Sequence, residues 1–233
     1  MKYKNIIKGI FIERPNRFIA NVLIDGKTEV CHVKNTGRCR EILTEGATVL
    51  LEKSDNPERK TKYDLVTAYK DKKLINIDSQ APNKVFGEWL STEKFFKNVT
   101  FIKPEAKYNN SRFDFYFEND GKKCFAEIKG VTLENDGVLS FPDAPTERGV
   151  KHVFELCDAK NEGYDTYIFF VVQMKEVKYF TPNVKTHKEF ADALIYAERQ
   201  GVKIYCVSCE VTENSLDILD FVPIRLTTEE EHE

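Results

Sequence analysis

Asp114, Glu127 and Lys129 are the residues whose types and spacing best suit chemistry, and that chemistry is a divalent cation acting at a phosphate. They lie in the stretch Ser111-Arg112-Phe113-Asp114-Phe115 through Phe125-Ala126-Glu127-Ile128-Lys129. Between them, Asp120-Gly121 is a strong signal for a two-residue hairpin turn. With that turn Asn119 pairs with Lys122, Asp114 falls directly opposite Glu127, and Arg112 falls opposite Lys129. Alternation then puts Phe113, Phe115 and Phe117 on one face with Cys124, Ala126 and Ile128, and Asp114, Glu127 and Lys129 on the other. Opposed β-carbons stand roughly 4.5–5.5 Å apart and facing like charges destabilise a sheet, so two such carboxylates call for a cation. Mg²⁺ or Mn²⁺, held by one or two carboxylates plus water and substrate phosphate, meets that need. An exposed face of ordinary salt bridges, with Lys129 and Arg112 balancing the acids, fits the spacing equally well.

Two further groups extend the row. If Asn109-Asn110 forms the preceding turn, Glu105 lies opposite Asp114 and becomes a third metal-ligand candidate, on a strand that Pro104 assigns to a sheet edge. Downstream, Arg148, Lys151, His152 and Glu155 recur at helical spacing. Arg148 and His152 are one turn apart and suit a phosphate and a metal-bound water; a merely solvated face is the plainer alternative. His32, His187 and His232 form no group.

The elements that must hold these residues follow from hydrophobic period and turn chemistry. Residues 6–13, 17–24, 28–33, 48–52, 63–69 and 73–78 read as short strands separated by Arg14-Pro15-Asn16, Asp25-Gly26-Lys27 and the polar stretch 54–62. Five or so strands in about eighty residues suit a small barrel, of OB type first and SH3-like second. Ser79-Gln80-Ala81-Pro82-Asn83 marks a boundary, which divides the chain into 1–80, 81–227 and an acidic, disordered tail over 228–233. The second part predicts a helix over 85–96, strands over 99–108, 112–118 and 122–132, and a loop over 134–145. Then come a helix over 146–160, a buried strand over 167–173, a helix over 188–199 and a strand over 203–211. The pattern is an α/β domain with a mixed sheet, α+β for the whole chain.

Composition bounds the class. With 41% apolar and 12% aromatic residues the chain folds, and no apolar run approaches a membrane span. The first residues lack the apolar stretch of a signal peptide, so a cytoplasmic protein is expected. Six cysteines fit that setting as reduced, buried side chains; Cys206 and Cys209, three apart on a strand, point to opposite faces and cannot clamp one metal. The net charge of −3 hides an asymmetry: residues 1–80 carry 16 Lys and Arg against 11 Asp and Glu, and the remainder 19 against 27. A basic first part suits a polyanion, while overall acidity argues against tight non-specific binding to nucleic acid.

At these residues the chain resembles the sugar fermentation stimulation protein A family. The matching segments are Asn35-Thr36-Gly37-Arg38, Ser111-Arg112-Phe113-Asp114-Phe115, Glu127-Ile128-Lys129-Gly130-Val131-Thr132-Leu133, and Phe141-Pro142-Asp143-Ala144-Pro145-Thr146-Glu147-Arg148-Gly149-Val150-Lys151-His152. The resemblance implies an OB-like barrel followed by a restriction-endonuclease-like, PD-(D/E)xK domain, a DNA-binding role, and a link to regulation of sugar use. On the nuclease pattern Asp114 and Glu127 match the metal ligands and Lys129 the catalytic lysine, with Phe113 where a Pro is usual. Cys39 stands where Met is expected and Gly130 where a polar residue is expected; neither is a proposed ligand. Arg112, Arg148 and His152 would then bind the phosphate ester. The barrel, through Arg14, Arg17, Lys34, Arg38 and Arg40, would contact DNA, single-stranded and branched forms included. The rival expectation is a non-catalytic DNA-binding regulator that uses the nuclease-like domain as a scaffold.

Overall fold

The computed structural model describes residues 1–228, so the tail expected over 228–233 falls almost wholly outside the described residues. Six strands come first: β1 (Ile6–Asn16), β2 (Ile19–Ile24), β3 (Lys27–Val33), β4 (Thr48–Lys53), β5 (Tyr63–Lys70) and β6 (Lys73–Asn76). They pair in the order β3-β2-β1-β4-β5-β6. A parallel contact, His32↔Asp64 and Val33↔Leu65, joins β3 to β5 and closes the first five into a barrel. That closure is OB connectivity, and it resolves the choice between OB-type and SH3-like barrels. Alternation fills the interior with Phe11, Ala20, Val22, Cys31, Val33, Val49, Leu51 and Leu65, all buried. Asp25 and Gly26 both take positive φ (48° and 77°), as a tight turn between β2 and β3 requires.

Helix α1 (Ala81–Leu90) follows within a few residues of β6. It starts earlier than the apolar spacing over 85–96 implies, because Pro82 sits in its first turn, where no intrahelical N–H is needed. It also ends earlier. The Thr92 hydroxyl donates to Trp89 O at 2.7 Å, and Glu93 turns left-handed (φ 54°). Phe95 and Phe96 continue the apolar pattern from a loop instead, packing on Trp89 with ring centroids 5.6 and 6.4 Å away.

The large sheet runs β15 (Leu216–Phe221), β14 (Lys203–Val211), β12 (Asp165–Val172), β9 (Lys122–Val131), β8 (Ser111–Asn119), β7 (Val99–Tyr108). Its centre, β9-β12-β14, is parallel and its flanks are antiparallel. The sheet is therefore mixed, and β7 lies at an edge. Helix α1 covers one face, where Val85, Phe86 and Trp89 meet Phe115, Phe117 and Phe169. Helices α2 (Glu147–Asn161) and α3 (Lys188–Arg199) cover the other, with Val153, Leu156, Phe190 and Leu194 over Ile168 and Phe170. Cys206 packs on the α2–α3 face and Cys209 on the α1 face, and all six cysteines are free and buried.

Three pieces escape the sequence pattern. The stretch 134–145, expected as loop, holds β10 (Glu134–Asn135) and β11 (Val138–Phe141), which join β13 (Tyr179–Pro182) in a three-stranded sheet. Strands β13 and β15 likewise have no counterpart in the sequence pattern. Strands of two to six residues with little alternation are stabilised by their neighbours more than by their own sequence.

Barrel and sheet domain are tied by buried polar contacts. Gln173 Nε2 donates to Asn76 Oδ1 at 2.8 Å and to the Asp78 carbonyl at 2.9 Å. Glu134 accepts from Lys70 and Lys73 of the barrel at 3.1 and 2.9 Å. No helix among the described residues is long and apolar enough to cross a membrane.

Candidate functional site

The β8–β9 hairpin keeps the register that the Asp120-Gly121 turn implies, from Asn119↔Lys122 to Phe115↔Ala126. The ladder stops there, so Asp114 does not pair directly with Glu127, nor Arg112 with Lys129. Instead Asp114 Oδ2 accepts the Ile128 backbone N–H at 2.7 Å, where a ladder bond would have gone. Its other oxygen takes the Asn83 side-chain amide from α1 at 2.9 Å.

Alternation slips at this point. Phe113 does not share the layer of Phe115 and Phe117; it packs with Tyr108 and Phe125, its ring 6.3 Å from that of His152, on the α2 side. Strand β7 slips with it. Pro104↔Phe115 and Ala106↔Phe113 remain paired, and Glu105 between them adopts φ 52°. Glu105 therefore sits across from Asp114, as its register implies, on the exposed edge.

Glu127 is buried at 4% exposure and held from the α2 side. Its Oε1 lies 2.6 Å from His152 Nδ1 and 2.7 Å from Lys129 Nζ. Thr146 caps α2 by accepting the Gly149 N–H at 3.1 Å, and this sets the rotation of the helix. The buried stripe then runs Gly149, His152, Val153, Leu156. His152 accordingly belongs to the packed face, a correction to its expected place on an open polar face beside phosphate. Arg148, one turn earlier, stays exposed, and its Nε approaches His152 Nε2 at 3.4 Å. This network suits an imidazole with Nδ1–H donated to Glu127 and Nε2 accepting.

The two carboxyls are driven apart electrostatically. Burial, followed by the Glu127 charge, pushes the Asp114 carboxyl up to about 6. Burial alone would raise Glu127 too, but the His152 hydrogen bond and the Lys129 charge outweigh it and hold that carboxyl below its usual range. Glu127 Oε2 remains buried with no hydrogen-bond partner.

Asp114 and Glu105 line a cleft of about 650 Å³ between the barrel and α1, with Lys34, Asp78 and Lys84 on its other walls. Glu127 and Lys129 do not line it. Among the described residues, no three of the His, Cys, Asp and Glu side chains are grouped as a ready-made cation cage. Arg112 is exposed opposite Lys107.

On the barrel, Arg14 has a different task from the one expected. Its Nη atoms donate to the carbonyls of Arg17, Asn35, Gly37 and Arg38 at 2.6–2.8 Å, leaving it no free donors for phosphate at those positions. Arg17, Arg38 and Arg40 remain exposed on the rim it organises. Asn83 is a contact sequence reasoning missed, since its segment read as a linker. Gly130 departs from the expected polar residue for a steric reason: a Cβ there would come within 2.8 Å of both Gln173 Oε1 and Pro82 Cγ.

A closed OB barrel packed on a mixed sheet, with an acidic pair and a lysine where its hairpin ladder ends, defines a two-part α+β protein. Residues 12–77 match the SfsA N-terminal OB domain, and residues 80–215 match the sugar fermentation stimulation protein RE domain. The chain belongs to the sugar fermentation stimulation protein family. It is 61% identical over 226 residues to the sugar fermentation stimulation protein homolog of Clostridium beijerinckii, covering 97% of this chain and 100% of that one. The homolog from Desulfitobacterium hafniense strain DCB-2 is 59% identical, covering 97% and 99%. The structure of Pyrococcus furiosus SfsA in complex with Ca²⁺ superposes with a TM-score of 0.87 at 26% identity, covering 97% of this chain and 98% of that one.

Proposed function

We propose that this chain binds DNA and hydrolyses phosphodiester bonds at a divalent-metal site built on Asp114 and Glu127. The observation that carries the reading is Glu127 Oε2, a buried carboxylate oxygen without a partner, in the field of the half-buried Asp114. Such an oxygen costs about 1–3 kcal/mol unless something satisfies it, and a hard cation is the natural partner for an acidic pair. The donor set is all carboxylate oxygen, which suits Mg²⁺ or Mn²⁺, with Glu105 at the cleft edge as a further ligand. The Ca²⁺ in the Pyrococcus furiosus relative supports a hard divalent ion here as well. When bound, the ion polarises a phosphoryl oxygen and acidifies a water.

The chain's own residues do the rest. His152 and Lys129 hold Glu127 ionised and fixed in orientation. The Lys129 ammonium balances negative charge developing on the phosphate. Arg112 and Arg148, exposed nearby, bind phosphate oxygens of the substrate. In this division of labour residues 1–80 grip the nucleic-acid backbone and residues 81–227 cut it. Arg17, Arg38 and Arg40 supply the grip in place of the structurally engaged Arg14 and of Lys34, whose Nζ is paired with buried Asp78 at 2.8 Å. Buried, reduced cysteines suit work in the cytoplasm.

The test is a cleavage screen over single-stranded, duplex and branched DNA and RNA with Mg²⁺ and Mn²⁺, run on the parent and on Lys129→Ala. Metal-dependent cleavage lost in the variant supports the reading; no cleavage of any substrate by the parent sinks it. One observation favours a second reading, a non-catalytic DNA-binding regulator. Lys129 and His152 both close on Glu127 Oε1, at 2.7 and 2.6 Å, as a scaffold could keep them. Metal and DNA binding without cleavage would select it.

A further inference from the structure

Four hollows adjoin one another through shared lining residues, and the row forms a trough-like path along the barrel rim and domain junction. The first, about 250 Å³, lies among Arg14, Arg17, Arg38 and Arg40. Thr36 and Gly37 link it to a second of about 200 Å³ at the domain junction. Asn35, Thr36 and Ser79 link that to a third, about 190 Å³, floored by Phe18. Lys34 and Gln80 belong both to this Phe18 hollow and to the Asp114 cleft. Adjoining hollows thus run from the arginines, past Phe18, to the Asp114 cleft.

Phe18 is the unusual feature of this path. It is 45% exposed although aromatic. The turn that presents it is rigid: its N–H donates to Asn16 Oδ1 at 2.9 Å, and its carbonyl accepts from Val33 N at 2.8 Å. Arg14 binds the Arg17 carbonyl and three carbonyls of the 35–38 loop, so the backbone that carries Phe18 is tied to that of the Arg38–Arg40 rim. The Arg17 guanidinium sits 4.9 Å from the ring centroid. An exposed aromatic ring beside guanidinium groups, opening on a hollow of about 190 Å³, matches a base flanked by phosphates. A duplex cannot offer this, because its bases are stacked on each other and hidden from a ring on the protein surface.

We propose that Phe18 is a stacking platform for an unpaired base, and that the trough selects single-stranded DNA and leads it toward Asp114. The inference rests on the DNA-binding half of the proposed function and is independent of cleavage. Arg17, Arg38 and Arg40 hold the backbone on the entry side.

The experiment is fluorescence anisotropy without divalent metal, using a labelled oligothymidylate of about 15 nucleotides, an abasic strand of the same length and a blunt duplex. Phe18→Ala should weaken oligothymidylate binding about 5- to 100-fold while leaving the abasic strand and the duplex as in the parent. Phe18→Leu, which keeps apolar bulk and guards against a folding artefact, should show the same loss, and Phe18→Trp should restore binding. Equal affinity of parent and Phe18→Ala for oligothymidylate would overturn the proposal. So would a parallel loss on the duplex, or a parent that ignores single strands. A parent that stacks and discriminates in this way but cleaves nothing would defeat the nuclease reading alone and leave this one standing.

Discussion

His152 Nδ1 lies 2.6 Å from Glu127 Oε1, joining the first turns of α2 to the end of β9. Both side chains are at most 5% exposed, so the bond is shielded from solvent competition. A histidine placed this way orients a carboxylate rather than touching substrate. His152→Ala should weaken apparent Mg²⁺ or Mn²⁺ affinity about 10- to 100-fold, read from metal titrations followed by thermal melting. An unchanged titration would remove His152 from the site.

Asp114 should be the residue whose loss separates metal binding from folding. Mg²⁺ or Mn²⁺ should raise the melting temperature of the parent, since a ligand bound only by the folded state stabilises it. Asp114→Asn should abolish that rise. Because the folded-state carboxyl sits near pH 6, above its unfolded value of 3.8, its ionisation destabilises the metal-free fold as pH rises through that window. The metal-free variant should therefore melt higher than the parent at pH 7, by at most about 3 kcal/mol of stability, with the gap closing toward pH 4. A gap independent of pH would show that the acid is not strained.

Lys129→Ala should leave a metal-induced rise in melting temperature while cutting phosphodiester cleavage by about 100-fold or more. Loss of both together would mean that the lysine supports the fold of the site instead of the reaction.

The barrel arginines should divide by role. Arg38→Ala with Arg40→Ala should weaken DNA binding and flatten its salt dependence, each phosphate contact contributing a slope of about −0.7 on single strands. Arg14→Ala should cost about 2–4 kcal/mol of stability, because four carbonyls lose their donors. If Arg14→Ala instead melts like the parent, the carbonyl contacts are incidental.

Glu134 clamps the two domains and supplies an acid-sensitive element. Burial would raise its carboxyl, but Lys73, the Gly137 N–H and Lys70 outweigh that and bring it down to about 2. A depressed folded-state value means stability present above pH 4.5 and lost as pH falls toward 2. Glu134→Gln should be about 1–3 kcal/mol less stable than the parent at pH 7, and the difference should shrink as pH is lowered from 5 to 3. Denaturant titrations across that range provide the check.

Much of the architecture was legible because it is local. Apolar alternation located the six strands of the first part, and the bounds of α3 and β14 follow directly from period and from Gly201 between them. The Asp120-Gly121 turn alone determined the hairpin register down to Phe115↔Ala126, and Pro104 marked β7 as an edge. The opposite faces of Cys206 and Cys209 followed from strand geometry. What the tertiary structure decided are the contacts between segments far apart in sequence. A period of two cannot show that Asp114 will take the Ile128 N–H and an α1 amide, swinging Phe113 onto the opposite layer. Helical spacing places His152 within one residue of the apolar stripe, but only the docking of α2 on β9 buries it against Glu127. Arg14 is a charged residue in a basic segment by sequence, and a carbonyl clamp only once β1, β2 and the 35–38 loop converge on it. Local pattern encodes which face of an element is apolar; which partner each polar group finds depends on where packing brings the other elements.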